Sequence, residues 1–379
     1  MRLLYVEHSL AVHGGIERVV TDKVNWLVEY GGCDVCLLTV NQGNHPLVFP
    51  LNSKVNYYDL DIMFHHIFSD RLWKRYFRLF QLRRLFRKRL SERIKEFSPD
   101  IIICTRLDNI SDVMMVKGRI PVVYEAHNFF LACKYDKYSF LQRLQITSWH
   151  YALKKVDMIV ALTQGDASEW KKHYSKVQVI PNVVHLNDTG RYSDCHNKVA
   201  LFVGRISYQK DLQSLLRIWK LVNQRYPDWK LHIFGCCDKN NNELSDMCDG
   251  IVIHHPSNKV NYEYLNSSML LLTSRFEPFG LVLSEAMSCG LPVVAFDCPY
   301  GPADIITDGI DGFIIRDRSI EEFVDKVCLL IENEDLRCKM GRAGVLSSQR
   351  YTDKIIMSQW LQLFCEVSNR NCEEYGNVK

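Results

Sequence analysis

The sequence predicts an α/β protein made of two doubly wound, parallel-sheet domains. Three observations lead there. Short β-rich apolar runs alternate with helix-period stretches, as in sheets whose strands are joined by crossover helices. The alternation occurs twice, with a polar, turn-rich stretch between the two series. The 379 residues are enough for two hydrophobic cores.

In the first series, strands are expected at Leu3–Glu7, Val35–Val40, Val55–Leu60, Ile101–Thr105, Val122–Ala126, Met158–Leu162 and Val177–Ile180. Helices are expected at Gly15–Tyr30, Ser69–Phe97, Phe140–Lys155 and Gly165–His173. This order argues for a parallel sheet covered on both faces. The second series has strands at Ala200–Val203, Leu231–Phe234, Gly250–Ile253, Met269–Thr273 and Pro292–Phe296. Its helices are expected at Asp211–Tyr226, Val260–Ser268, Leu281–Cys289 and Ile320–Asn333, with a last one at Thr352–Val367. Domains are therefore expected at 1–184 and 199–351. A linker runs over 185–198, and a final helical segment, 352–379, crosses back to the first domain. Two such domains facing each other leave a cleft at the carboxyl ends of their strands, where these folds bind ligands.

Composition narrows the function classes. The apolar share is 47% and the charged share 24%, as in ordinary globular proteins. No apolar run is long enough to span a bilayer, and the N-terminus reads as a first strand rather than a signal peptide. Fourteen cysteines are scattered, which suits a reducing cytosol. The single C-x-x-C, Cys33 and Cys36, lacks a second pair and reads as packing. The His65-His66 and His254-His255 pairs are read as non-metal. Net charge is +8 over residues 1–181 and −5 over the rest, so the two parts are expected to meet different partners.

The most informative stretch is TSRFEPFGLVLSEAMSCGLPVVAF, residues 273–296. A strand ends in a loop carrying Glu277, a turn follows at Phe279-Gly280, and a helix opens at Leu281 with Glu285 expected in its first turn. A helix N-terminus collects free N–H groups and attracts phosphate. Carboxylates beside it can accept hydrogen bonds from hydroxyls. A nucleotide sugar carries both groups. Gly14-Gly15 follows the first strand and fits either a plain strand-to-helix turn or a phosphate-facing loop. Arg205 and Lys210 follow the first strand of the second series, where two cations can oppose a diphosphate. Asp211 after them is expected to cap a helix.

Residues 68–97 hold eleven Lys/Arg against three acidic residues. Trp73, Phe77, Phe80, Phe86, Leu90 and Ile94 recur there at helical spacing, with Arg83, Arg84, Arg87 and Lys88 in the gaps. Such a helix suits an anionic lipid surface, gaining about 1 kcal/mol per well-placed cation. The plainer alternative is a helix packed on the sheet with a solvated basic face. No nucleic-acid motif accompanies it.

Taken in order, His13-Gly14-Gly15-Ile16-Glu17-Arg18, Glu125-Ala126-His127-Asn128, Ile180-Pro181-Asn182, Val203-Gly204-Arg205 with Lys210, and Glu277-Pro278-Phe279-Gly280 with Glu285 resemble a known family. It is the retaining glycosyltransferase family 4, whose members have two facing Rossmann-like domains, the GT-B architecture. The last pair is its E-x7-E signature, and Pro299 to Phe313 resembles bacterial polysaccharide-assembly members. The resemblance covers nearly the whole chain.

The resemblance implies an acceptor-binding first domain and a second domain that holds the nucleotide sugar. It implies that Gly14 and Gly15 lie against the donor phosphates, and that Arg205 and Lys210 clamp the diphosphate. Glu277 would contact donor-sugar hydroxyls and Glu285 the ribose. Phe279, Gly280, Leu281 and Val282 would offer backbone N–H groups. His127 would hydrogen-bond the donor sugar or the acceptor. The catalytic set is then His127, Arg205, Lys210 and Glu277. The membrane set is Trp73, Arg83, Arg84, Arg87 and Lys88.

The expected activity moves a hexose or N-acetylhexosamine, UDP-linked, onto a lipid-linked glycan of a surface polysaccharide or lipopolysaccharide, with retention. No metal and no cofactor beyond the donor are expected, and no D-x-D stands at a suitable strand end. The expected location is the cytoplasmic face of the plasma membrane. Two alternatives are a UDP-sugar epimerase, which would turn over without acceptor, and a non-catalytic sugar-nucleotide or lipid binding module, which would bind without turnover.

Overall fold

The computed structural model of the chain describes residues 1–12, 14–64, 72–127, 140–187, 189–235, 249–255 and 260–370. His13, His65, His66, Asn128 and Pro256 lie outside the described residues. So does the side chain of Trp73, whose backbone is helical.

The first series runs β1 (Arg2–Glu7), α1 (Gly15–Glu29), β2 (Asp34–Thr39), β3 (Asn56–Asp59), α2 (Leu72–Phe97), β4 (Ile101–Cys104), α3 (Leu107–Val116), β5 (Val122–Glu125), α4 (Phe140–Leu153), β6 (Met158–Ala161), α5 (Gln164–Lys171) and β7 (Val177–Val179). The second runs β8 (Val199–Val203), α6 (Leu212–Arg225), β9 (Lys230–Phe234), β10 (Ile251–His254), α7 (Val260–Leu265), β11 (Met269–Leu272), α8 (Leu281–Ser288), β12 (Val293–Phe296), α9 (Gly301–Ile305), β13 (Gly312–Ile315), α10 (Ile320–Glu332), α11 (Glu334–Ser348) and α12 (Asp353–Ser368). Two compact units result. The first holds residues 1–162, 166–183 and 354–379, and the second 163–165 and 184–353.

Each unit is a doubly wound α/β domain with a wholly parallel sheet. The strand orders are β3-β2-β1-β4-β5-β6-β7 and β10-β9-β8-β11-β12-β13. Central strands such as β4, β5, β11 and β12 are buried at every residue, because helices cover both faces. One core gathers Leu4, Val6, Ile102 and Tyr124 under Phe86, Leu90 and Trp170. The other gathers Phe202, Ile233 and Leu271 under Trp219 and Phe323. In each sheet the winding direction reverses at one place, between β1 and β4 and between β8 and β11. The carboxyl ends of strands flanking such a switch point leave a crevice for ligands.

Several elements were not legible in the sequence. α3 has the poor helix formers Asn109, Ser111, Asp112 and Val113. It exists because parallel neighbours β4 and β5 require a crossover on one face. α11 contains Gly341 and Gly344, which weaken its helical signal. Both are packing requirements. A Cβ on Gly341 would lie 1.9 Å from the Gly290 carbonyl oxygen, and one on Gly344 3.3 Å from Met287 Cβ. α11 thus closes on α8 and its C-terminal turn.

Residues 185–198 differ from the expected linker. Ser193 N donates to Cys289 O at 2.8 Å, Arg337 Nε donates to Cys195 O at 2.9 Å, and Cys195 is buried. The polar composition of this strap satisfies loops of the second unit. Cys33 and Cys36 are buried at the start of β2, and burial pushes their thiols up to about 11 and about 12.

Candidate active site

The second unit's switch point is built from the loops after β8 and β11. Chain leaves β8 at Gly204, whose N–H donates to Phe234 O at 3.0 Å. A Cβ on Gly204 would stand 3.1 Å from Lys210 Cε, so this glycine lets the Lys210 stem lie over the backbone. Lys210 Nζ donates to Glu277 Oε1 at 2.5 Å, and Ser274 Oγ donates to the same oxygen at 2.7 Å. Glu277 is buried, so this pairing replaces the water its charge would otherwise need. Thr273 Oγ1 donates to the carbonyls of Lys210 and Asp211 at 3.0 and 3.1 Å, tying the two loops together. Arg205 is exposed and, among the described residues, makes no ion pair.

Asp211 does not act as the expected helix cap. It opens α6 with a left-handed backbone, φ 48°, and its side chain caps no N–H. Its carboxylate instead accepts from Arg275 Nη2 at 2.8 Å, Arg318 Nη2 at 2.5 Å and Ser214 Oγ at 2.8 Å. A left-handed non-glycine residue is disfavoured by about 1–2 kcal/mol. Three charge-assisted or hydroxyl bonds at a nearly buried carboxylate offset that. Neither arginine was picked out by sequence, because each meets Asp211 from a distant loop.

The loop of Glu277 is held by backbone. Glu277 N donates to Pro299 O at 2.7 Å, while Tyr300 N and Gly301 N donate to Glu277 O at 3.0 and 2.9 Å. Phe279 is buried edge-on to Tyr351. Gly280 follows at φ 102°, a conformation that favours glycine, and α8 starts at Leu281 with no side-chain cap. Leu283 N donates to Gly280 O at 2.9 Å, and no side chain caps the other first-turn N–H groups of α8. Glu285 lies in the second turn of α8, not the first, and accepts from Tyr264 OH at 3.1 Å.

In the first unit, Gly14 opens α1 in extended conformation, with the Glu17 carboxylate folded over it. His127 follows β5 and is 4% exposed. Its imidazole is held down to about 4, first by burial, then by Lys23 and Arg106, against the pull of Glu125. Glu7, at the end of β1, accepts from Thr105 Oγ1 at 2.5 Å, and burial raises it to about 7. Sequence reasoning missed Lys23 and Glu7. A lysine on the buried stripe of α1 was the available signal.

α2 divides the membrane set between paired and exposed cations. Phe86, Leu90 and Ile94 are buried against the sheet, whereas Tyr76, Phe77 and Phe80 are 47%, 63% and 60% exposed. Arg83 Nη1 donates to Asp112 Oδ2 at 2.5 Å, and Arg87 Nε lies 3.5 Å from Asp112 Oδ1. Those two cations pair with Asp112 of α3 while staying partly exposed. Arg84 and Lys88 are exposed. Among the described residues no helix is long and apolar enough to cross a membrane.

Comparison with known proteins gives the family. The family model "Glycosyltransferase Family 4" matches residues 13–188, and "Glycosyl transferases group 1" matches 193–345. The chain belongs to this glycosyltransferase family. It is 28% identical over 385 residues to the amylovoran biosynthesis glycosyltransferase AmsD of Erwinia amylovora, covering 95% of this chain and 98% of that one. It is 31% identical over 255 residues to the lipopolysaccharide 1,6-galactosyltransferase of Escherichia coli, covering 62% and 66%. Anabaena HepE, solved in complex with UDP, superposes with a TM-score of 0.74 at 16% identity over 97% of this chain and 100% of that one. That likeness shows the shared GT-B fold. Membership in the family sets aside the epimerase and the non-catalytic module.

Proposed function

We propose that this glycosyltransferase moves a hexose or N-acetylhexosamine from a UDP-linked donor to a hydroxyl of a lipid-linked glycan in surface polysaccharide assembly, with retention and without a metal. One observation supports the reading: Lys210, from the loop after β8 that also carries Arg205, pairs with Glu277, which shortly precedes the uncapped start of α8 at the switch point of the sheet. Arg205, Lys210 and the α8 amides take the diphosphate, whose charge grows as the bond to the anomeric carbon breaks. Fixed cations supply the counter-charge that a metal supplies in other transferases. The names of AmsD and the galactosyltransferase support a polysaccharide or lipopolysaccharide acceptor, and the UDP of HepE supports a uridine nucleotide.

The acceptor oxygen attacks the anomeric carbon on the face from which the diphosphate leaves. The carbon–oxygen bond electrons go to the departing phosphate oxygen, which also receives the hydroxyl proton. Glu277 Oε1 already accepts from Lys210 and Ser274, which suits a fixed hydrogen-bonding group better than a free nucleophile. His127 is assigned to a hydroxyl of the donor sugar or acceptor, and Gly14-Gly15 to the phosphates. A donor panel with mass detection of a lipid-linked acceptor tests the reaction, and proton coupling of the product tests retention. Turnover with no UDP-sugar, or an inverted product, sinks the corresponding part.

Glu285 is assigned to the ribose hydroxyls. Glu285→Ala should raise the donor dissociation constant about 10- to 100-fold, the worth of one hydrogen bond to a charged group. Calorimetry with UDP reads this, and unchanged affinity removes the ribose assignment.

The enzyme is proposed to work at the inner face of the plasma membrane, bound through the exposed part of α2. Phe77 and Phe80 offer apolar insertion, and Arg84 and Lys88 offer charge. The combined change Phe77→Ser, Phe80→Ser, Arg84→Gln and Lys88→Gln should abolish most sedimentation with phosphatidylglycerol vesicles. Undiminished sedimentation assigns that surface elsewhere.

A further inference from the structure

Beneath His127 lies a buried charged pair that the transfer, as described, does not use. Lys23 comes from α1, Glu125 ends β5 and Trp360 comes from α12. The Lys23 and Glu125 side chains are 2% and 0% exposed and form an ion pair. The Lys23 ammonium also stands 3.9 Å from the centre of the Trp360 ring, a favourable place for a desolvated cation. His127 folds back onto this pair. Its backbone N–H donates to Glu125 O at 3.2 Å, and its Nε2 lies 3.3 Å from Glu125 Oε1. One carboxylate oxygen thus faces an ammonium and an imidazole together.

Removing one member of a buried ion pair leaves an uncompensated charge, which is strongly unfavourable. A lone Glu125 carboxylate would draw a proton onto the adjacent imidazole. With Lys23 present, the pair is neutral and His127 gains little by charging. Arg106, from the loop after β4, further opposes an imidazolium, as does burial itself. Tyr5 of β1 also faces Glu125, and its buried phenol is held well above its usual range, first by burial. A neutral imidazole can accept a hydrogen bond from a hydroxyl; an imidazolium can only donate.

We propose that Lys23 is a positioning residue for the transfer: held against Trp360, it neutralises Glu125 and so keeps His127 uncharged and able to accept from a donor or acceptor hydroxyl. This rests on the reading that His127 meets the substrates.

The test uses full-length protein labelled with ¹⁵N-histidine, titrated by NMR, alongside kcat measured against pH. In Lys23→Met, His127 should protonate roughly one to two pH units higher than in the unsubstituted enzyme. Turnover should fall on the acid side with the same displacement, because the active form is the unprotonated one. The double variant Lys23→Met, Glu125→Gln removes both charges and should bring the His127 titration back down to its original position or below it, since Glu125 pulls harder than Lys23 opposes. An unmoved titration in the single variant, or a double variant that titrates like the single, overturns the proposal. Should Lys23→Met fail to fold, Glu125→Gln supplies the reading. Without the attracting carboxylate, His127 must stay neutral down to about pH 5, and a charged imidazole there overturns the proposal. The NMR readout is independent of substrate contact. If the titration moves but turnover does not follow it, the coupling holds and the substrate role of His127 fails.

Discussion

Arg205→Ala should lower turnover about 10²- to 10³-fold, the usual loss when one group stabilising transition-state charge is removed. Its thermal unfolding midpoint should stay nearly unchanged. Arg205 is exposed and, among the described residues, has no ion-pair partner to abandon, so substitution removes a cation and little else. Lys210 gives a less clean comparison. Its charge already lies against Glu277, and its removal would also strand a buried carboxylate. Initial rates with saturating donor, run beside scanning calorimetry, read the two effects separately. Near-normal turnover in a stable Arg205→Ala protein rejects the phosphate role.

Gly301→Ala should disable donor binding and destabilise the second unit. A Cβ there would lie 1.8 Å from Phe279 O, 2.5 Å from Phe279 C and 3.1 Å from Glu277 O. All three are backbone atoms and cannot swing aside as a side-chain end could. The Glu277–Phe279 segment must shift, disturbing the bonds from Tyr300 N and Gly301 N to Glu277 O. Overpacking of this kind costs about 1–3 kcal/mol or more. It also moves the loop that presents Glu277 and the start of α8. Gly309→Ala is the control. Gly309 has φ 74° with no atom near a Cβ, so about 1–2 kcal/mol of backbone strain is expected with UDP affinity kept. Equal UDP affinity in Gly301→Ala and the original enzyme would show that the loop tolerates displacement.

The two glycines also show how far the sequence could be read. Both stand in one stretch that resembles polysaccharide-assembly enzymes, yet nothing local separates a turn glycine such as Gly309 from one pressed on another loop such as Gly301. Strands were legible because their apolar runs are contiguous, as at Ile101–Cys104 and Val293–Phe296. α3 was not, because the need for a crossover between β4 and β5 outweighs its weak propensity. α11 was hidden by glycines that serve its contact with α8. Glu277, Gly280 and the start of α8 were visible as a motif, since their spacing is local.

Partnerships were a different matter. Arg83 was read as a surface cation, and Asp112 of α3 takes it inward. Asp211 was read as a cap, and two arginines from distant loops claim it. By itself the sequence determined the two parallel-sheet units and the ends of every strand but β13, with the polar residues that stand there, because periodicity and turn chemistry act over a few neighbouring residues. Only the tertiary structure decided that Lys210 meets Glu277, that Asp211 serves Arg275 and Arg318, and that Lys23 sits beneath His127 against Trp360. The physical reason is burial: which charges are taken out of water together depends on elements far apart in the chain, and a charge taken out of water must find its counter-charge there.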